Sequence, residues 1–152
     1  MQEQFEMLDL SQQNFIKMLD SLSLEQINKI PQGYNNNLIW NFAHVVAVLQ
    51  TLCYSRAGLP LPLDEHFVTM YKAGTKPESP VTAEQYATIK VYASEGLNKL
   101  KADYKAGVFK AFKPYKTLVG LEMNTIEFVI TYVLHHHGIH TGYVAAIKKL
   151  VI

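Results

Sequence analysis

Residues 37–56 read NLIWNFAHVVAVLQTLCYSR, and this run decides the fold. Asn37 can cap a helix at its start, and Gly58 can end it. Between these two residues nearly every helical face is apolar, which is typical of a helix buried on all sides. The run carries polar residues and lacks the flanking basic residues of a membrane span. We therefore predict a buried core helix that runs from Asn37 to Arg56.

Apolar residues at three-to-four spacing predict three further long helices. Their approximate ranges are 3–22, 82–105 and 125–151. Thr82 and Gln85 form a capping box that opens the second of these helices, and Asn124 with Glu127 is the predicted start of the third. Four helices of about 20 residues match a helix bundle.

Two shorter features lie between the long helices. Ser23 stands three residues before Gln26, which predicts a brief helix. The connection at residues 58–80 holds four of the six prolines and is too long for a hairpin between neighbouring helices. We predict an ordered crossover with a helical turn at residues 64–72. Since no convincing strand or repeat is found, the predicted fold class is all-α, a four-helix bundle with a long crossover between the second and third main helices.

Composition limits the function classes. The chain has 152 residues, of which 49% are hydrophobic and 18% charged, and its net charge is +1. This length favours a single domain over residues 1–152, and the composition excludes disorder. A near-neutral charge gives no electrostatic basis for nucleic acid or an acidic membrane surface as a partner. A small-molecule substrate remains as the expected partner.

The cysteine count and the N-terminus both favour the cytoplasm. Cys53 is the only cysteine, so neither an intramolecular disulfide nor a thiolate metal cage can form. Its position in an apolar helix indicates a core residue and not a nucleophile. The first ten residues, MQEQFEMLDL, lack the basic start and apolar run of a signal peptide.

Histidines carry the chemical signal of this sequence. His136 and His140 lie one helical turn apart, so both project from one face, which they share with apolar residues. His44 lies in the core helix, where an imidazole without a partner would be costly. Three neutral nitrogens from two helices can bind one divalent ion and leave coordination positions open. Zn, Ni, Co and Fe all accept such ligands.

The same spacing has simpler interpretations. Histidine pairs at this spacing occur by chance, and a single core histidine is usually just hydrogen-bonded. His135 is expected to face solvent, His137 to be intermediate and His66 to lie on the surface of the crossover. His137 also stands where HExxH metallopeptidases carry their general base, so a metallopeptidase is disfavoured.

Four further residues are candidates for lining a substrate pocket: Asn41, Thr51, His137 and Tyr143. Asn41, His44, Thr51 and Ser55 form a polar stripe at helical spacing, in which Asn41 or Thr51 can bond a ligand or orient a water. The alternative is an ordinary solvated helix face. Tyr143 can offer its hydroxyl to a pocket or simply pack in the core, and Trp40 is assigned to the core.

Two segments closely resemble the DinB-like superfamily. They are NNNLIWNFAH at residues 35–44 and HHGIHTGY at residues 136–143. The resemblance implies a bundle of up-down-down-up order, with a divalent metal on His44, His136 and His140. Relatives include transferases and isomerases that use low-molecular-weight thiols, and many family members pair as homodimers. His137 departs from the many relatives that carry Glu at this position.

The resulting hypothesis is a metal-dependent enzyme that activates water or a low-molecular-weight thiol for transfer to a small electrophile. Zn and Ni rank first among the metals, followed by Co, Fe and Mn, and the catalytic residues are not assigned. One alternative is a bundle that binds a metal or small ligand without turning it over. The other is a stress-response protein whose histidine site is vestigial.

Overall fold

Helices make up most of the structure, a computed structural model that describes residues 1–117 and 120–152. In chain order the elements are α1 (Gln2–Asp20), α2 (Leu24–Asn28), α3 (Leu38–Gln50), a π-helical turn (Thr51–Ser55), α4 (Glu65–Met70), α5 (Ala83–Lys105), β1 (Tyr115–Lys116), β2 (Glu122–Met123) and α6 (Ile126–Lys148). The prediction of an all-α fold is confirmed to the extent that the described chain is mostly helical.

The α3 helix lies at the centre of the structure, as its apolar sequence predicts. Its cap is Asn37, whose Oδ1 accepts a hydrogen bond from the backbone N–H of Trp40 at 2.9 Å. It packs against α2, α4, α5 and α6, while α1 packs against α5 and α6. The segment Leu38–Ser55 is long and apolar enough to span a membrane, but 83% of it is buried within the protein. It is therefore placed as the core helix of the fold.

The capping residues show where the sequence-based boundaries are right and where they are wrong. Both predicted capping boxes form, at Ser23 with Gln26 and at Thr82 with Gln85. The predicted cap of the last helix is wrong by one residue, because Thr125 and not Asn124 is the N-cap. Thr125 has an extended backbone, φ −133° and ψ 153°, which lets its hydroxyl accept from the N–H of Phe128.

A small hairpin corrects the expectation that the chain has no strand. β1 and β2 pair antiparallel, with Tyr115 opposite Met123 and Lys116 opposite Glu122. Strands of two residues are too short to show an alternating pattern in a sequence. The backbone N–H of Lys113 donates to the carbonyl of Arg56 at 2.8 Å, so the hairpin is tied to the end of the core helix.

The π-helical turn changes which side chain shares a face with His44. In a regular α-helix each residue rotates by about 100°, so Ser55, eleven residues after His44, would share its face. A π turn takes up one extra residue and shifts the following side chains back by one position. Ser55 is accordingly exposed, and Arg56 lines the same cavity as His44. The predicted polar stripe is therefore wrong at Ser55.

Candidate metal centre

Three histidine rings from two helices meet at one point. The ring centroids of His44 and His136 are 5.2 Å apart, those of His44 and His140 are 4.8 Å apart, and those of His136 and His140 are 4.5 Å apart. One nitrogen of each ring lies within 4.8 Å of the others. Such a cluster can hold a metal ion with small rotations of the rings.

Helix packing explains why the three rings meet. His136 and His140 lie one turn apart on α6, so their side chains leave the helix on the same face. The α3 helix, which carries His44, packs directly against α6. The two halves of the cluster are therefore brought together by the two most apolar long helices of the fold.

Neighbouring groups fix the orientation of His44. Its ring stacks on Trp40 with a centroid separation of 4.8 Å and an interplanar angle of 10°. Its Nδ1 lies 2.7 Å from the backbone carbonyl of Tyr71, in the crossover at residues 58–80. Because a carbonyl only accepts hydrogen bonds, Nδ1 carries the proton and the Nε2 lone pair is left for a ligand.

His140 is oriented in the same way by an amide side chain. Its Nδ1 lies 2.8 Å from Oδ1 of Asn41. The Asn41 Nδ2 group donates to the carbonyl of Asn37 at 2.7 Å and to Oδ1 of Asn36 at 3.2 Å, which fixes which end of the amide is oxygen. The His140 Nδ1 must therefore donate, and its Nε2 is again available as a ligand.

His136 is the least constrained of the three. It stacks against Tyr132, one turn earlier on α6, with a centroid separation of 6.3 Å. Its Nδ1 is buried and has no hydrogen-bond partner among the residues that the structure describes. A buried polar atom without a partner is costly. One nitrogen of this ring, together with one from each of His44 and His140, makes a donor set suitable for a divalent ion.

Burial keeps the three imidazoles neutral. Desolvation lowers the pKa of His44, with its bond to the Tyr71 carbonyl acting in the opposite direction. Desolvation, and next the neighbouring imidazoles, lower the pKa of His136 to about 3 and that of His140 to about 4. Neutral imidazole is the form that binds metals, so the cluster is ready for a ligand at physiological pH.

A cavity of about 420 Å³ opens beside the histidines. His44 and His136 form part of its wall, and Thr51 lies in the same wall. The remaining wall comes from the core helix, the crossover and the hairpin. The cavity volume lies within the range of small-molecule sites. A ligand in this cavity would contact two of the three histidines.

Asn41 and Tyr143 lie beside the histidines and not in the wall of this cavity. Asn41 is 1% exposed and holds His140, as described above. Tyr143 is 36% exposed, and its hydroxyl donates to Oδ1 of Asn36 at 3.2 Å. Both residues therefore belong to one hydrogen-bonded chain that ends at His140.

His137 does not occupy the position expected of a pocket residue. Its side chain is 1% exposed and is absent from the wall of the cavity. Burial lowers its pKa to about 4, and neither of its ring nitrogens has a hydrogen-bond partner among the described residues. On α6 it follows His136 by one residue, a rotation of about 100°, so it points away from the cluster face and into the core. His137 was predicted to be intermediate between core and surface and to line the pocket. The structure instead places it in the core.

The other residues singled out in the sequence fall where they were expected. His135 and His66 are exposed. Trp40 is buried at 6% exposure, and Cys53 is fully buried, which raises the pKa of its thiol. Neither His135 nor Cys53 is therefore part of the cluster.

The sequence profile of the DinB superfamily matches residues 7–144. The chain belongs to the DinB superfamily. A crystal structure of a conserved protein from Enterococcus faecalis superposes on it with a TM-score of 0.66, covering 99% of this chain and 95% of the other, at 14% sequence identity. At that identity the likeness shows a shared fold alone. The sequence matches no curated protein.

Sequence reasoning missed the groups that surround the cluster. The Tyr71 carbonyl is a backbone group from a distant segment, and no pattern of side chains in the sequence predicts its contact with His44. Arg56 reaches the cavity only because of the π turn, and Lys72 only because the crossover folds back over α3. The contact of Tyr132 with His136 could have been predicted, because Tyr132 precedes His136 by four residues on a helix and so shares its face.

Proposed function

We propose that this DinB-superfamily protein is a metal-dependent enzyme acting on a small molecule in the cavity beside His44 and His136. The ion would be held by His44, His136 and His140. The observation that carries the proposal is the pairing of two oriented imidazoles with a third whose buried Nδ1 lacks a described partner. Zn and Ni suit these nitrogens best, followed by Co, Fe and Mn.

A divalent ion on three neutral ligands supplies Lewis acidity, which lowers the pKa of a water or thiol at its open positions. The protein's own residues prepare the site for that chemistry. The Tyr71 carbonyl and Asn41 hold the protons of His44 and His140 on Nδ1 and so direct both Nε2 atoms to the cluster. The cavity confines a small electrophile next to His44 and His136.

The family resemblance favours transfer of a low-molecular-weight thiol over hydrolysis. The same resemblance supports a four-helix bundle of up-down-down-up order, formed as one domain over residues 1–152. We further propose a cytoplasmic protein that can pair as a homodimer and acts without nucleic acid or a membrane. A buried core helix and a near-neutral charge support this assignment.

Metal analysis of protein purified without a polyhistidine tag tests the centre. We expect about one divalent ion per chain in the wild type and almost none in His44→Ala. His135→Ala is the matched control, because it removes an exposed imidazole from the same helix as His136 and His140. Equal metal content in His44→Ala and wild type would remove the triad as the metal site.

Turnover separates an enzyme from a binding protein. The metal-loaded protein is mixed with glutathione or other low-molecular-weight thiols and a chromogenic electrophile, and conjugation is followed by absorbance. Conjugation that chelation abolishes supports the enzyme. A protein that holds its metal but conjugates none of them would support non-catalytic binding, and a metal-free protein would support a vestigial site.

A further inference from the structure

The wall of the histidine cavity carries two positive charges and no carboxylate among the described residues. Arg56 comes from the end of the core helix, and Lys72 comes from the crossover. Neither forms a salt bridge with any residue of 1–117 or 120–152. Since the whole chain has a net charge of only +1, this concentration of positive charge is local. A wall of this kind attracts an anion.

Arg56 is held in place by its surroundings. The π turn brings it onto the His44 side of the helix, and its guanidinium lies 4.1 Å from the centroid of the Tyr115 ring. Its backbone carbonyl accepts from Lys113, which fixes the hairpin against it. The guanidinium is thus stacked and half-buried while its N–H groups remain without an acidic partner. A planar guanidinium fork matches the geometry of a carboxylate.

The remainder of the cavity wall would suit a ligand that has an apolar body and a single polar group. Ala47, Val48 and Leu52 offer apolar side chains. The Thr117 hydroxyl accepts from the backbone N–H of Leu121 and can donate its proton to a ligand oxygen, whereas the Thr51 hydroxyl already donates to the carbonyl of Ala47 at 3.0 Å. Hydrophobic lining with a few polar groups that fix orientation is the usual composition of a small-molecule site.

We propose that Arg56, assisted by Lys72, binds the carboxylate of a small organic acid whose apolar body lies along α3 toward His44 and His136. This inference deepens the proposed function, because it names the substrate class of the same cavity, and it rests on that function for the ligand's role as a substrate. The anion subsite itself lies on side chains outside the histidine cluster.

The test uses metal-free protein, so that a carboxylate cannot bind through an ion. Phenylacetate is titrated into protein treated with a chelator, followed by calorimetry and by backbone amide shifts. Phenylacetamide, which has nearly the same shape without the charge, is titrated in parallel. We expect phenylacetate to bind at least about tenfold more tightly, as hydrogen bonds to charged groups typically provide. The shifted amides should include those near Arg56 and Thr117.

Two variants locate the subsite. Arg56→Gln should weaken phenylacetate binding about tenfold or more and leave phenylacetamide unchanged, while thermal melting shows that the variant folds. Lys116→Gln is the matched control, because it removes a positive charge from the same hairpin at an exposed site outside the cavity wall. The proposal would be overturned if the protein bound the acid and the amide with equal affinity, or bound neither at millimolar concentration. It would also be overturned if Lys116→Gln weakened phenylacetate binding as much as Arg56→Gln does. Metal content and thiol conjugation are measured separately, so failure of the anion subsite is distinct from failure of the metal centre.

Discussion

The side-chain oxygen of Asn41 accepts a hydrogen bond from Nδ1 of His140 at 2.8 Å. Asn41 is nearly inaccessible to solvent, and its amide is itself anchored to Asn37 and Asn36. Groups that hold the second nitrogen of a metal-binding histidine set both its tautomer and its direction. Asn41 is therefore a positioning residue for the histidine cluster.

Asn41→Ala should reduce metal affinity by about ten- to a hundredfold, because His140 loses the group that orients it. Competition with a chromophoric chelator measures the affinity. Asn41→Asp should recover only part of the affinity, because its carboxylate can accept from His140 but cannot donate to the carbonyl of Asn37. Asn35→Ala, in the exposed part of the same loop, is the control and should bind metal like the wild type. Metal affinity in Asn41→Ala equal to that of the wild type would contradict the positioning role.

Acid should destabilise the metal-free protein through His137. Its pKa falls from 6.5 to about 4 on folding, so between these values the unfolded chain binds a proton that the folded chain does not. Stability therefore decreases as the pH falls from about 6.5 to about 4, by about 3 kcal/mol for this residue. Urea unfolding at several pH values measures the effect.

His137→Leu should make that pH dependence shallower, because the variant loses the proton that His137 gains on unfolding, while His44, His136 and His140, whose pKa values burial also lowers, keep their contributions. His135→Leu removes an exposed imidazole beside it and should keep the wild-type slope. If the slopes of all three proteins coincide, the acid sensitivity does not come from His137.

Gly96 lies at the contact between α3 and α5, where we expect no room for a larger side chain. A Cβ atom at this position would lie 2.3 Å from Nε2 of Gln50, a side chain that is itself 1% exposed. Gly96→Ala should therefore lower the free energy of unfolding by about 1–3 kcal/mol, the usual cost of overpacking. Gly142→Ala, on a helix surface with no atom within 4 Å, should be neutral or stabilise by up to about 1 kcal/mol. Equal stability of both variants in urea would contradict the close contact.

Cys53 should be inert in the folded protein. Its side chain is fully buried, and desolvation raises the pKa of the thiol, so almost no thiolate is present at neutral pH. Ellman's reagent should detect one thiol per chain in denaturant. It should react with the native protein only as fast as local unfolding exposes Cys53. Fast stoichiometric reaction of the native protein would show that the core around Cys53 is accessible.

The parts of this protein that follow from local patterns were predictable. Apolar spacing and capping boxes located the helices, and the one-turn spacing of His136 and His140, with His44 on the core helix, identified the rings that meet. Each helix signal and the pair His136 and His140 lie within a few residues along the chain, whereas joining His44 to that pair drew on the family resemblance as well. The error at Asn124 concerned one residue at a helix end, where two capping residues stand side by side.

Features that depend on distant segments were not predictable. The π turn substitutes Arg56 for Ser55 on the cavity face, and nothing in the spacing of residues 51–55 indicates the extra residue. His137 was placed between core and surface because rotation about α6 alone does not say how closely α3 approaches. The short hairpin carries too few residues for a periodic signal. Each of these outcomes was decided by packing between elements.

The carbonyl of Tyr71 comes from the crossover, and it is the group that keeps the His44 proton on Nδ1. Local opening of residues 58–80 would release that proton acceptor and leave the ring free to rotate or to exchange tautomers. Occupancy of the centre and closure of this segment are therefore thermodynamically linked, and each favours the other. A bound ion should slow cleavage of the segment by a protease without making any contact with the peptide bond that is cut.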